Sequence, residues 1–179
     1  MSALLAVPEI EDQTEFNLNR WDELCADSEV ARLRFRIETD RYGNITMNFP
    51  ADFTHGSRQF DIGKLLKDAL PHGKVSVECP ISTLDGIKAA DVVWVSPSRL
   101  LEIGGRAALR GAPEICVEVI SLSNTRGEME DKRRLYFEAG AHEVWICERG
   151  GVLHFFLKHA PHVDAGASLL CPSMPARID

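Results

Sequence analysis

The chain is 179 residues long, 45% hydrophobic and 26% charged, with a formal net charge of −7. That length suits one domain with a sizeable core and leaves no room for a second large one. No apolar run approaches the roughly 20 residues of a membrane span, and the start Met-Ser-Ala-Leu-Leu-Ala-Val-Pro lacks the basic opening of a secretory signal, so a cytoplasmic protein without membrane contact is expected.

The negative charge sits at one end. Residues 1–30 hold eight acids against Arg20 alone, whereas the other residues balance at 19 acidic and 19 basic. Residues 1–30 therefore read as an acidic extension whose helix packs on the core, and 31–179 as a single domain. A local basic surface stays open, with Arg99, Arg106, Arg110, Arg126, Arg133 and Arg134 as contributors. Cys25, Cys79, Cys116, Cys147 and Cys171 are odd in number, dispersed and mostly among apolar neighbours, which suits buried thiols rather than a disulfide framework or a zinc site.

In chain order, Leu18, Trp21, Leu24 and Cys25 recur at helical spacing over Asn17–Cys25, so a first helix packs through Trp21. Leu33–Ile37 alternates with arginines as a half-exposed strand does. The turn residues Arg41-Tyr-Gly-Asn then lead to Ile45, Met47 and Phe49, completing a hairpin. After a loop at Pro50–Thr54, Ile62, Leu65, Leu66, Ala69 and Leu70 mark a second helix from His55 to the Pro71-His-Gly stop. Lys74–Cys79 and Asp91–Val95 read as strands, and Ser96–Gly111 as an irregular loop. Ile115–Ile120 is a β-branched run without a polar face, hence a central strand covered on both sides. A helix opens at Asn124 or Thr125 and stops at Gly140. Glu143–Cys147 and Gly151–Phe156 form a strand pair, and Ser168-Leu-Leu-Cys offers an edge strand. The sum is an α/β or α+β domain with a mixed central sheet flanked by helices.

Two charges break this pattern. Glu118 lies inside the apolar strand, where an ionised carboxylate loses its hydration at a cost of several kcal/mol unless a cation or donors replace the water. Lys132 lies on the inward stripe of Met129, Leu135, Tyr136 and Ala139, while Arg133, Arg134 and Glu138 take other faces. A buried lysine facing a buried glutamate is expected, and perturbed charges in one locality favour a functional site. A structural ion pair, or a lysine that snorkels outward, is the plainer alternative. Asp91 opens the strand Asp-Val-Val-Trp-Val, so its carboxylate is expected at a strand end. If the two strands are neighbours, Asp91 and Glu118 converge on one hard divalent cation such as Mg²⁺ or Mn²⁺, which needs only about two protein carboxylates.

Ala90-Asp91 before an apolar strand, Glu118-Val-Ile-Ser-Leu-Ser, Lys132 with Tyr136 and Gly140, and Glu143-Val-Trp-Ile together resemble the PD-(D/E)XK nuclease superfamily. Over residues 30–157 the match is to its Uma-type family of small bacterial restriction-endonuclease-like proteins. Ala90 stands where the superfamily has proline, and Ile120 where it has the lysine after Glu-x. In this family the lysine resembles one moved to the following helix, as Lys132. The resemblance implies a restriction-endonuclease-like fold and hydrolysis of nucleic acid, double-stranded DNA first, with Mg²⁺ or Mn²⁺ on Asp91 and Glu118, Lys132 as catalytic cation, and a homodimer. Glu38 matches the family's early glutamate and would complete the ligand set or align Lys132, although a glutamate closing a hairpin strand is otherwise a surface residue. His55 matches a family histidine but has a simple helix-capping explanation and is not counted as catalytic. A nuclease-fold module that only binds nucleic acid or protein is the alternative.

Overall fold

The computed structural model describes residues 10–33, 35–48, 52–104, 106–122 and 124–178. Arg34 of the first expected strand, Phe49 of the hairpin, Pro50 and Ala51 of the loop, and Ser123 of the Glu118 motif lie outside the described residues, as does the start of the acidic extension.

Helix α1 spans Gln13–Ala26, and the Asp12 side chain accepts the Glu15 N–H at 3.0 Å at its start. It buries Leu18, Trp21 and Leu24 against Ile87 and Ala108. Asn17 fixes its position, donating to Ser82 Oγ at 2.9 Å and to the Thr83 carbonyl at 2.8 Å.

Strands β1 (Arg36–Thr39) and β2 (Ile45–Asn48) form an antiparallel hairpin, shifted toward the turn relative to the expected Leu33–Ile37. The Asp40 carboxylate causes the shift by accepting the N–H groups of Tyr42 and Asn44, both at 2.9 Å, which sets the turn tightly after Thr39. Helix α2 (Phe53–Ala69) starts at Asp52 and packs Ile62 and Leu66 into the core.

The main sheet has six strands in the order β3-β4-β5-β6-β7-β8, namely Lys74–Thr83, Gly86–Val95, Ile115–Val119, Glu143–Cys147, Leu153–Leu157 and Ala160–Asp164. Only β5 and β6 run parallel, joined by helix α4 (Arg126–Glu138), so the expected mixed α/β sheet is present. Helix α4 opens with a reciprocal capping box between Thr125 and Glu128. One core cluster, with Ile62, Leu66, Val92, Val117, Trp145 and Phe155, lies toward α2. The other, with Ile81, Val93, Cys116, Tyr136 and Val144, lies toward α4. No helix among the described residues is long and apolar enough to cross a membrane.

Three expectations need correction. Strands β3 and β4 are each ten residues long and meet at Gly86, so Asp91 lies in mid-strand rather than at a strand end. Cross-strand pairing carries Pro80 and the short side chains Ala89 and Ala90 into the sheet although their local pattern is weak. The segment expected as loop contains α3 (Pro97–Ile103), started by the Ser96 side chain accepting the Arg99 N–H at 3.1 Å. Ser168-Leu-Leu-Cys forms no strand, and β8 is the edge. Instead the N–H groups of Leu169 and Leu170 donate to the buried Glu143 carboxylate at 2.8 Å, joined by Ser168 Oγ at 2.6 Å and Trp145 Nε1 at 2.8 Å. A satisfied acid ties the tail down more strongly than a ladder with neutral partners.

Candidate active site

The ladder between β4 and β5 runs from Trp94↔Ile115 to Val92↔Val117. One residue further, where Asp91 and Glu118 come opposite, the strands stop exchanging backbone bonds. The Asp91 side chain replaces the missing carbonyl, its Oδ2 accepting the Val119 N–H at 2.6 Å. On the other flank of Asp91, Glu78 has a φ of 50°, a left-handed conformation uncommon outside glycine. The sheet is thus opened on both sides of Asp91, which exposes its carboxylate to side chains from elsewhere.

Those side chains come from three elements. From α2, His55 Nε2 lies 3.2 Å from Asp91 Oδ2, and Gln59 donates to Asp91 Oδ1 at 3.2 Å and to Glu78. From β1, Arg36 pairs with Asp91 and with Glu78, and donates to the Ala89 carbonyl. From α4, Lys132 Nζ is 2.8 Å from Glu38 and 3.3 Å from Glu118, and Tyr136 donates to Glu118 at 2.6 Å. Glu38 is itself anchored, accepting the Ala89 N–H at 3.0 Å. The close crossing of β1 over β4 that brings Glu38 here depends on Gly86, at φ 83°, where a side chain would meet the Asp40 and Thr39 carbonyls within 2.4 Å.

Lys132 thus meets Glu38 and Glu118 directly, and Asp91, across the β4–β5 ladder from Glu118, is held by its own set of donors; the relative exposures of Asp91, Glu118, Lys132 and Glu38 are 1%, 4%, 5% and 5%. The expectation that Glu38 is otherwise a surface residue does not hold here, because β1 lies against β4 rather than at the rim. His55 is not merely a helix-start residue. Its backbone N–H is capped by Asp52 at 2.9 Å, yet its ring faces Asp91. Arg36, Gln59 and Glu78 escaped the sequence reading because nothing local distinguishes them. Tyr136 carried a usable signal, standing one turn after Lys132.

The electrostatics divide the acids. Burial would raise the Asp91 pKa, but the His55 hydrogen bond and the Arg36 charge outweigh it and hold it at about 2. For Glu118, burial wins over the attraction of Lys132, and with the Asp91 charge it lifts the carboxyl to about 7. Burial works against the Lys132 ammonium, but Glu118 and Glu38 together hold it protonated above its ordinary range. Burial likewise opposes a charged His55, and Asp91 shifts the imidazole upward in spite of it.

The raised Glu118 pKa sets a pH dependence. The folded state holds that proton more tightly than the unfolded chain, so stability from this group is present below pH 4.5 and is lost as pH rises from 4.5 through about 7. The loss is of order 3 kcal/mol. Urea titrations in chelator at pH 5 and pH 8 should show the wild type losing stability at the higher pH and Glu118→Gln losing none of that share. A wild-type midpoint that rises across this window with the variant unchanged counts against the assignment.

Glu38, Asp91 and Glu118 are hard oxygen donors, and with Glu78 they place four carboxylates against two permanent cations, Arg36 and Lys132. The donor type fits a Mg²⁺ or Mn²⁺ ion, which keeps several waters and takes few protein ligands. A dedicated protein cage is not what they form: among the described residues no group of three or more His, Cys, Asp and Glu side chains is placed to hold a metal. The six arginines considered as a basic surface each have an interaction. Arg106 and Arg110 pair with Glu15 of α1, Arg99 donates to the Ala112 carbonyl, Arg126 and Arg134 pair within α4, and Arg133 covers the Phe156 ring.

Comparison with known proteins agrees with this fold. Residues 22–170 match the Uma2 family, described as "Putative restriction endonuclease". A solved structure titled as a putative nuclease belonging to DUF820, from Anabaena variabilis ATCC 29413, is similar with a TM-score of 0.59 and 15% sequence identity, over 72% of this chain and 73% of that one. No curated protein matches the chain.

Proposed function

We propose, proceeding from the fact that this chain belongs to the Uma2 family of restriction-endonuclease-like proteins, that it is a Mg²⁺- or Mn²⁺-dependent endonuclease acting on double-stranded DNA. The observation that carries the reading is the convergence of Lys132 with Glu38 and Glu118 in the buried pocket of Asp91. Asp91 and Glu118 would hold the ion, with Glu38 as a further ligand or as the group that aligns Lys132. When bound, the ion polarises a phosphoryl oxygen and acidifies a water. Lys132, fixed between two carboxylates and kept charged, presents its ammonium to the negative charge growing on the phosphoryl oxygens, an interaction worth most in a dry site. The water oxygen bonds to phosphorus as the P–O bond to the leaving strand end breaks, giving a phosphate monoester and a hydroxyl.

The test is cleavage of plasmid, linear duplex, single-stranded DNA and RNA with Mg²⁺, with Mn²⁺ and with chelator. Divalent-dependent cleavage of duplex DNA is expected, and its absence under every metal overturns the reading. Cutting both strands of a duplex calls for two active sites, so a homodimer is part of the proposal. A cytoplasmic setting also belongs to it, consistent with five free cysteines. One observation favours a second reading, an inactive module that only binds: Arg36 already neutralises Asp91. Calorimetry decides between them, since a dismantled site binds no Mg²⁺ or Mn²⁺ through Asp91.

A further inference from the structure

His55, whose Nε2 faces Asp91, also lines a cavity of about 250 Å³ together with Asp52, Thr54, Arg58, Ile120, Ser121 and Arg149. Its walls are the first turn of α2 and the chain that leaves β5 directly after the Glu118 strand. Three features of these walls are not explained by the fold. His55 is 6% exposed and uses Nε2 toward Asp91, yet its other ring nitrogen, Nδ1, is buried without a partner. Arg58 Nε is likewise buried without a partner. Neither Arg58 nor Arg149 pairs with a carboxylate among the described residues, whereas Arg106, Arg110, Arg126 and Arg134 do.

Arg58 Nε is always a donor, and a buried donor left unsatisfied is costly, so its presence beside an open cavity, with the unpartnered His55 Nδ1 in the same wall, points to a ligand that enters there. The ligand must be anionic, because two guanidinium groups face it and the one acid in the wall, Asp52, already accepts the His55 N–H. The cavity also meets the N-terminal end of α2, where backbone N–H groups lack helical acceptors and the helix dipole favours negative charge. Planar, forked donors of this kind match tetrahedral oxyanions.

We propose that this cavity is a phosphate-binding subsite that holds one phosphate group of a nucleic-acid strand, a single imidazole ring away from Asp91. The identification of the strand rests on the nuclease reading, whereas the anion site rests on its own residues. Arg58 and Arg149 neutralise the phosphate, and His55 is the positioning residue that couples its seat to the Asp91 carboxylate. Held there, a strand has its neighbouring phosphodiester directed toward Asp91, Glu118 and Lys132. An internal phosphodiester and a 5′-terminal phosphate present the same oxygens, and the probes below separate them.

The test uses the full chain in chelator, so that no cleavage is needed. Fluorescence anisotropy follows short labelled DNA strands, with and without a 5′-phosphate, over a series of salt concentrations. Arg58→Gln with Arg149→Gln should weaken binding at least tenfold and flatten the salt dependence by about one ion per arginine removed. Arg106→Gln, on the α1 side of the molecule, should change neither, and Arg58→Lys with Arg149→Lys should recover the salt dependence. A loss confined to phosphorylated strands assigns the terminal phosphate, and an equal loss with both assigns an internal one. Unchanged affinity in the glutamine variant, an equal loss in Arg106→Gln, or no DNA binding by the wild type would each overturn the subsite. Wild-type DNA binding through these arginines without cleavage in any metal would sink the nuclease reading alone. Cleavage with unaltered binding in the variant would sink the subsite alone.

Discussion

Lys132→Met is expected to lower divalent-dependent cleavage by about 10²- to 10³-fold, the cost of removing one preorganised positive donor from a transition state. It should also destabilise the fold, because Glu38 and Glu118 lose the ammonium between them at 2.8 and 3.3 Å while staying buried. Breaking a buried pair from one side costs about 3–5 kcal/mol. The two effects can be separated. Lys132→Met with Glu118→Gln removes a charge of each sign and should regain part of the stability, measured by urea unfolding, while cleavage stays at or below the level of the single variant. A purely structural ion pair predicts regained stability with whatever cleavage the wild type has left untouched, so retained cleavage in either variant excludes a catalytic Lys132.

Asp91→Asn should abolish Mg²⁺ and Mn²⁺ binding in calorimetry and take cleavage below detection. Its stability cost comes from four donors, Arg36, His55 Nε2, Gln59 and the Val119 N–H, that currently meet a carboxylate. An asparagine turns an NH₂ group toward at least one of them, a mismatch worth about 2–4 kcal/mol. The acid limb of the stability curve provides an independent check. Asp91 has a folded pKa of about 2 against an ordinary 3.8, so its contribution is present above pH 3.8 and disappears as pH falls toward 2. That share is about 2 kcal/mol. The asparagine variant should lack this part of the acid-induced loss, and an acid limb identical to the wild type would show that Asp91 is not the low-pKa group. Metal binding that survives the substitution would remove Asp91 from the ligand set.

The two predictions depend on residues of different legibility. Glu118 stood out because a carboxylate in an apolar five-residue strand is costly, and Lys132 because helical spacing put it in line with Met129, Leu135 and Tyr136. Both are buried in the structure. The same reasoning applied to Glu143, which is equally buried, would have nominated a second site. There the donors are neutral, from Trp145, Ser168 and two backbone N–H groups, and the acid only ties down the tail. Burial of an acid can be read from a pattern; the kind of group that compensates it cannot.

Local sequence sufficed wherever a physical period of two or 3.6 residues set the answer: the helices α1, α2 and α4, the central strands, the mixed α/β class and the inward direction of Lys132. It failed where long-range pairing overrides local preference, as in the extension of β3 and β4 through Pro80 and Ala89. The meeting of Arg36 and Glu38 from the first hairpin with His55 and Gln59 from α2 around Asp91 was settled by tertiary structure alone. These residues are distant along the chain, and only the crossing of β1 over β4 at Gly86 and the packing of α2 on the sheet bring them within hydrogen-bond range.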